Sequence, residues 1–159
     1  MTDLLAVPSM LIHEVTGTYL EMDNYVDNVG EAVQIWNLDP PKDAENLQGH
    51  KWLVVAKEDG YYLIKSFDHK RCLAASAVSA GDYPRIQECD GSEFQDWLFV
   101  GVENHPGTYA IIPRRYPEYA LGIQNNIDAN DRYVVPTRMW GKPTLFHCWR
   151  QSSLADANS

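Results

Sequence analysis

Phe94-Gln95-Asp96-Trp97-Leu98-Phe99-Val100, followed by Pro106-Gly107 and Tyr109-Ala110-Ile111, is the stretch that decides the fold, because it occurs more than once. Trp52-Leu53-Val54-Val55 is followed in the same way by Asp59-Gly60 and Tyr62-Leu63-Ile64. Phe146-His147-Cys148-Trp149 supplies a third tryptophan, and the three lie 45 and 52 residues apart. Each copy reads as strand, tight turn, strand. A second landmark keeps the same period. Gly17-Thr18-Tyr19-Leu20-Glu21, Lys70-Arg71-Cys72-Leu73-Ala74 and Glu118-Tyr119-Ala120-Leu121-Gly122 each begin a few residues after an apolar pair, Leu11-Ile12, Leu63-Ile64 or Ile111-Ile112. The chain is thus expected to hold three units, about 8–55, 56–100 and 101–153, in a single domain over 8–153 with a polar tail at 154–159. Each unit holds about four short strands. None can close a core alone, but three around a pseudo-threefold axis can join into a barrel without free edges.

Composition agrees with an all-β chain. Helical periodicity is weak, and β-branched and aromatic residues alternate with Gly, Pro, Asn and Asp clusters. The 159 residues fit one domain, and 45% hydrophobic content suffices for a core. A net charge of −9 argues against nucleic acid and against anionic membrane surfaces, and leaves neutral ligands as the natural class. No stretch is expected to insert in a membrane. The N-terminal Met1-Thr2-Asp3-Leu4 lacks a basic signal region, which implies a cytoplasmic or non-classically exported protein, or an extracellular one if the chain is the mature form. Of three cysteines, Cys72 and Cys89 flank one loop and could pair, leaving Cys148; three reduced cysteines in a cytosolic protein is the favoured reading.

These residues resemble the ricin-B-type β-trefoil lectins, most of all the intracellular fungal and mushroom members. Gly17 to Glu21 followed by Gly30-Glu31-Ala32-Val33-Gln34-Ile35-Trp36 carries the likeness, as does Val134-Val135-Pro136-Thr137-Arg138-Met139-Trp140. The second unit alone keeps an intact Gln-x-Trp, since His50 and His147 stand where the family has Gln. The resemblance implies a β-trefoil; no enzymatic activity, cofactor or metal is expected. It also implies shallow pockets for galactose- or N-acetylgalactosamine-type glycans on glycoproteins or glycolipids. Each pocket would pair an acid with an aromatic that stacks on the sugar's apolar face. Such sites bind weakly, so avidity through several sites or a homodimer is expected.

In the first unit the resemblance puts Glu21 at the acidic position, 15 residues before the platform Trp36, with Asp23, Asn37, Gln48 and His50 completing the rim. The second unit has Ala74 for the acid and Gln87 or Glu88 for the aromatic, so Gln95 and Trp97 are expected to be structural. In the third, Trp140 takes the platform position, Gly122 replaces the acid, and a loop about three residues longer offers Gln124 and Asn125, with His147 beside the last tryptophan. That loop lacks the spacing of a calcium site. No nucleophile elbow, zinc motif, phosphate loop or dinucleotide fingerprint occurs. The alternative is a protein-binding trefoil, a protease inhibitor or toxin receptor-binding subunit, acting through the loop 37–47 or the basic, aromatic stretch Pro113-Arg114-Arg115-Tyr116-Pro117-Glu118-Tyr119.

Overall fold

The structure, a computed structural model, describes residues 4, 7–22, 29–30, 32–36, 51–66, 70–77, 83–123 and 134–153, excepting the side chains of Trp36 and Ser153. Within these lie twelve strands, four per repeat. The first repeat has β1 (Ser9–His13), β2 (Tyr19–Met22), β3 (Val33–Trp36) and β4 (Leu53–Ala56). The second has β5 (Tyr62–Lys65), β6 (Arg71–Ala74), β7 (Arg85–Glu88) and β8 (Trp97–Gly101). The third has β9 (Tyr109–Pro113), β10 (Tyr119–Ile123), β11 (Val134–Arg138) and β12 (Trp149–Ser153).

Six strands close a barrel. Antiparallel ladders join β4 to β5, β8 to β9 and β12 to β1, so each long hairpin couples one repeat to the next. Inside a repeat, the first and last strands pair only at the tryptophan among the described residues. Tyr62 pairs with Trp97, Tyr109 with Trp149, and Ser9 with Trp52 through a reciprocal pair of backbone hydrogen bonds of 2.9 and 2.8 Å. The remaining strands form three hairpins, β2–β3, β6–β7 and β10–β11. The tight turns read from Asp59-Gly60 and Pro106-Gly107 need left-handed backbone, and Gly60 (φ 88°) and Gly107 (φ 82°) supply it without a Cβ to clash.

The three tryptophans are fully buried among Leu11, Ile64, Ile111 and the inward residues of the hairpins. Each indole Nε1–H donates to one leucine carbonyl on its own repeat's hairpin: Trp52 to Leu20 (3.0 Å), Trp97 to Leu73 (2.9 Å) and Trp149 to Leu121 (3.0 Å). A buried indole N–H requires such a partner. The favoured reading of the cysteines is corrected here. The β6–β7 hairpin sets Cys72 opposite Gln87, and as the chain leaves β7 it brings Cys89 alongside, so the two form a disulfide with Cα atoms 5.2 Å apart. Cys148 is free and buried, and burial pushes its thiol pKa up.

Replacing Trp97 with Phe keeps an aromatic in the core but leaves the Leu73 carbonyl without its donor. The expected cost is about 2–3 kcal/mol, read as a lower urea midpoint at unchanged slope.

Candidate functional site

The Leu–Trp bond gives each repeat a common origin from which its hairpin register can be compared. Leu20 pairs with Ile35, Leu73 with Ile86 and Leu121 with Pro136. One residue further along, the acidic position holds Glu21, Ala74 or Gly122, opposite Gln34, Arg85 or Val135. One residue before the leucine, the partners are Trp36, Gln87 and Thr137.

This register corrects the reading of the third repeat. Thr137, not Trp140, is the counterpart of Trp36. The β2–β3 and β10–β11 connections are equally long, ten residues between Met22 and Val33 and ten between Ile123 and Val134. Trp140 lies three residues past Thr137, in the turn after the hairpin.

In the first repeat the Gln34 amide donates to Glu21 Oε1 across the hairpin at 2.8 Å, and both side chains are buried, Glu21 to 3% exposure. The carboxyl is thus not a solvated surface acid but one held in place across the hairpin. Gln34 escaped the sequence reading because it sits between Val33 and Ile35 in an apolar run. The register that sets Tyr19 opposite Trp36 also sets Glu21 opposite Gln34, and is the signal that could have found it. Trp36 ends β3 at backbone level, while its side chain and Asp23, Asn37, Gln48 and His50 lie outside the described residues, as do Gln124 and Asn125.

The third repeat fills its own pocket. A Cβ on Gly122 would meet Thr137 Oγ1 at 2.8 Å and Cγ2 at 3.0 Å, so Thr137 occupies the space an acid would need. His147 is buried in the same network. The Thr144 backbone N–H donates to Nδ1 at 3.0 Å, which leaves the proton on Nε2 to donate to Thr137 Oγ1 at 2.7 Å, and Thr137 donates on to the Ala120 carbonyl at 3.2 Å. In the second repeat Gln95 holds the corresponding place. Its Oε1 accepts from the Asp90 N–H (3.0 Å) and its amide donates to the Glu88 carbonyl (2.6 Å). His147 and Gln95 therefore both tie the turn before the tryptophan to its hairpin. Burial first, and the nearby His13 second, hold the His147 pKa below its ordinary value.

The basic stretch offered for protein binding is occupied within the molecule. Asp96 is buried and receives Lys57 Nζ at 2.7 Å and Arg114 Nη1 at 2.9 Å. Arg114 also donates to Asp59 at 2.8 Å and stacks 4.2 Å from the Tyr61 ring centre. The Tyr116 hydroxyl donates to the Ser76 carbonyl at 2.7 Å. These contacts weld the second repeat to the third. The other loop offered for protein binding, 37–47, lies outside the described residues. Among the described residues no cluster of three or more His, Cys, Asp or Glu is placed to hold a metal ion, and no helix is long and apolar enough to cross a membrane.

Two outcomes test this assignment. Gly122→Asp is expected to destabilise the fold by about 2–4 kcal/mol through steric overlap and a buried charge, and to create no new binding, measured by urea unfolding and glycan titration together. Because the folded-state pKa of His147 is lowered, its contribution to stability is intact above the unfolded value near 6.5 and falls as pH drops below it. Unfolding free energies across that range should show this acid-side loss shrinking in His147→Gln, which supplies the side chain already used in the second repeat.

The sequence matches no protein-family model and no curated protein. Among solved structures, the designed threefold-symmetric protein ThreeFoil superposes with a TM-score of 0.77 at 20% identity, over 92% of this chain and 99% of that one. The agglutinin of Rhizoctonia solani gives 0.74 at 15% identity, over 96% and 99% of the two chains. The C-half of the earthworm R-type lectin, solved in complex with GalNAc, gives 0.67 at 15% identity, over 92% and 98%. Identities this low speak for architecture. The chain is a β-trefoil, a fold it shares with these proteins.

Proposed function

We propose that the protein is a carbohydrate-binding lectin whose working pocket lies in the first repeat and takes neutral glycans of the galactose or N-acetylgalactosamine class. One observation carries this reading. Of three repeats built on one frame, only the first has an acid at the hairpin position next to the tryptophan-bound leucine, and a buried amide opposite fixes that carboxylate's orientation. A sugar-binding acid needs fixed orientation, because discrimination among hydroxyl arrangements depends on where the acceptor lone pairs point. The barrel itself would be served as well by two apolar residues, so a buried acid–amide pair needs a reason beyond packing. Trp36 follows two residues after Gln34 and would present the stacking surface, with Asp23, Asn37, Gln48 and His50 as rim candidates. Gln124, Asn125 and His147 are the weaker candidates, since the third repeat's pocket is filled by Thr137.

The solved structures support the class of ligand, as an agglutinin and a GalNAc-bound R-type lectin share the architecture. The Cys72–Cys89 disulfide supports an oxidising place of work over a cytosolic one. A dimer remains the natural route from one weak pocket to useful avidity.

A glycan array tests the reading with Glu21→Gln and Trp36→Ala beside the wild type. Glu21→Gln preserves shape while removing the charge, and should weaken binding about 10- to 100-fold by loss of charge-assisted hydrogen bonds to the sugar. Its urea midpoint should stay near that of the wild type. Full glycan binding by both variants would make the acid–amide pair purely structural.

A further inference from the structure

The three repeats fill the barrel unequally. Beside each buried tryptophan stands one residue of the repeat's first strand: Tyr62 at Trp97, Tyr109 at Trp149 and Ser9 at Trp52. Two residues past each tryptophan come Phe99, Gln151 and Val54. Alternation along a strand puts all six on the barrel-facing side, the first three with the buried Ile64, Ile111 and Leu11, the others with the tryptophans. Threefold symmetry would put one kind of side chain at each set of three. Instead Tyr62, Phe99 and Tyr109 gather on one side of the barrel. The equivalents Ser9 and Gln151 are small or polar, and the Gln151 amide donates to the Ser9 hydroxyl at 2.8 Å.

The aromatic side is ordered and open. Tyr62 and Phe99 meet edge to face with ring centres 5.3 Å apart and planes at 71°, and Phe99 and Tyr109 at 6.2 Å and 67°. The β8–β9 turn beside them, 102–108, has seven residues, against five in the β4–β5 turn, 57–61. It borders a groove of about 530 Å³ whose lining includes Leu4, the three rings, Gly101 and His105. Leu4 packs on the barrel core there together with Tyr62 and Phe99, so the groove already takes an apolar group at one edge. Among the described residues no Asp, Glu, Lys or Arg lines it, although 22% of the chain is charged. Among the same residues, no hydrogen bond within the protein engages the Tyr62 hydroxyl or the His105 ring.

We infer that this groove binds an uncharged small molecule built on an aromatic ring with one hydroxyl or ring N–H, of the phenol or indole kind. The guest's ring extends the edge-to-face row of Tyr62, Phe99 and Tyr109, and its polar edge meets the Tyr62 hydroxyl or the His105 imidazole. A lining without charged side chains has nothing to offset the desolvation of an ionic guest, which excludes one. No residue of the β2–β3, β6–β7 or β10–β11 hairpins lines the groove among the described residues. It is thus none of the repeats' hairpin pockets, and the inference does not rest on the lectin reading.

The experiment is titration of ¹⁵N-labelled protein with p-cresol, indole, cyclohexanol and benzoate, following the backbone amides of Gly101, Val102, Gly107 and Thr108. p-Cresol or indole should shift these amides saturably. Cyclohexanol, which has no π face, and benzoate, which is charged, should bind about tenfold more weakly or worse. Gly101 lies on the same strand face as Phe99, and a Cβ there meets nothing within 4 Å. Gly101→Leu therefore fills the groove without displacing the protein. It should weaken p-cresol binding by about tenfold or more while the urea midpoint holds. Tyr62→Phe, which keeps the ring, and His105→Ala probe the polar edge independently of that variant, and at least one should weaken binding by about threefold or more. Full binding by Gly101→Leu overturns the location, and full binding by both other variants overturns the polar contact. Cyclohexanol or benzoate binding as tightly as p-cresol overturns the class of ligand. Silence of all four amides to p-cresol and indole overturns the site.

Discussion

A buried indole must hand its N–H to something, and in this chain it hands it to a leucine carbonyl on a hairpin, three times over. Each of these bonds joins the barrel wall to the hairpin above it. Among the described residues, the same three tryptophans provide the only backbone pairing between the first and last strands of their own repeats. One residue per repeat thus sets both how the barrel closes and where its cap sits. Everything that a hairpin displays is positioned relative to that bond, because register fixes side chains to alternate faces.

On such a frame the repeats can diverge without disturbing one another. The first keeps an acid–amide pair, the second a disulfide and a Gln95 clamp, and the third a threonine–histidine network that fills its pocket. In the third repeat the space beside Gly122 is taken up by Thr137, and His147 holds the turn before Trp149. The acidic Gln-x-Trp centre of the second repeat is a junction, with Asp96 gathering Lys57 and Arg114 from just past β4 and β9.

Periodicity was legible in the sequence because the core is built from repeated tryptophans and from apolar runs bounded by Gly and Pro turns. Those signals depend on local backbone geometry and survive without an alignment. The pocket contents were harder to read, and the reason is physical. Equating Trp140 with Trp36 matched residue types, whereas the hairpin counts residues across a ladder, and the ladder selects Thr137. Gln34 looked like one more strand residue until its neighbour across the sheet was known. The cysteines were ambiguous because a separation of 17 residues becomes a bonding distance only when β6 and β7 pair.

The pairing of β1 with β12 also orders events in time. Ser9 meets Ser153 and His13 meets Trp149, so the first strand has no permanent partner along its length until the last has been made. During synthesis β1 must wait for almost the whole chain, held meanwhile by its short contacts with β2 and Trp52. Contacts between such distant residues are slow to form, since the loop entropy is lost before any contact rewards it. The barrel therefore closes late, and until then an unzipped β1 is a waiting edge open to the wrong strand.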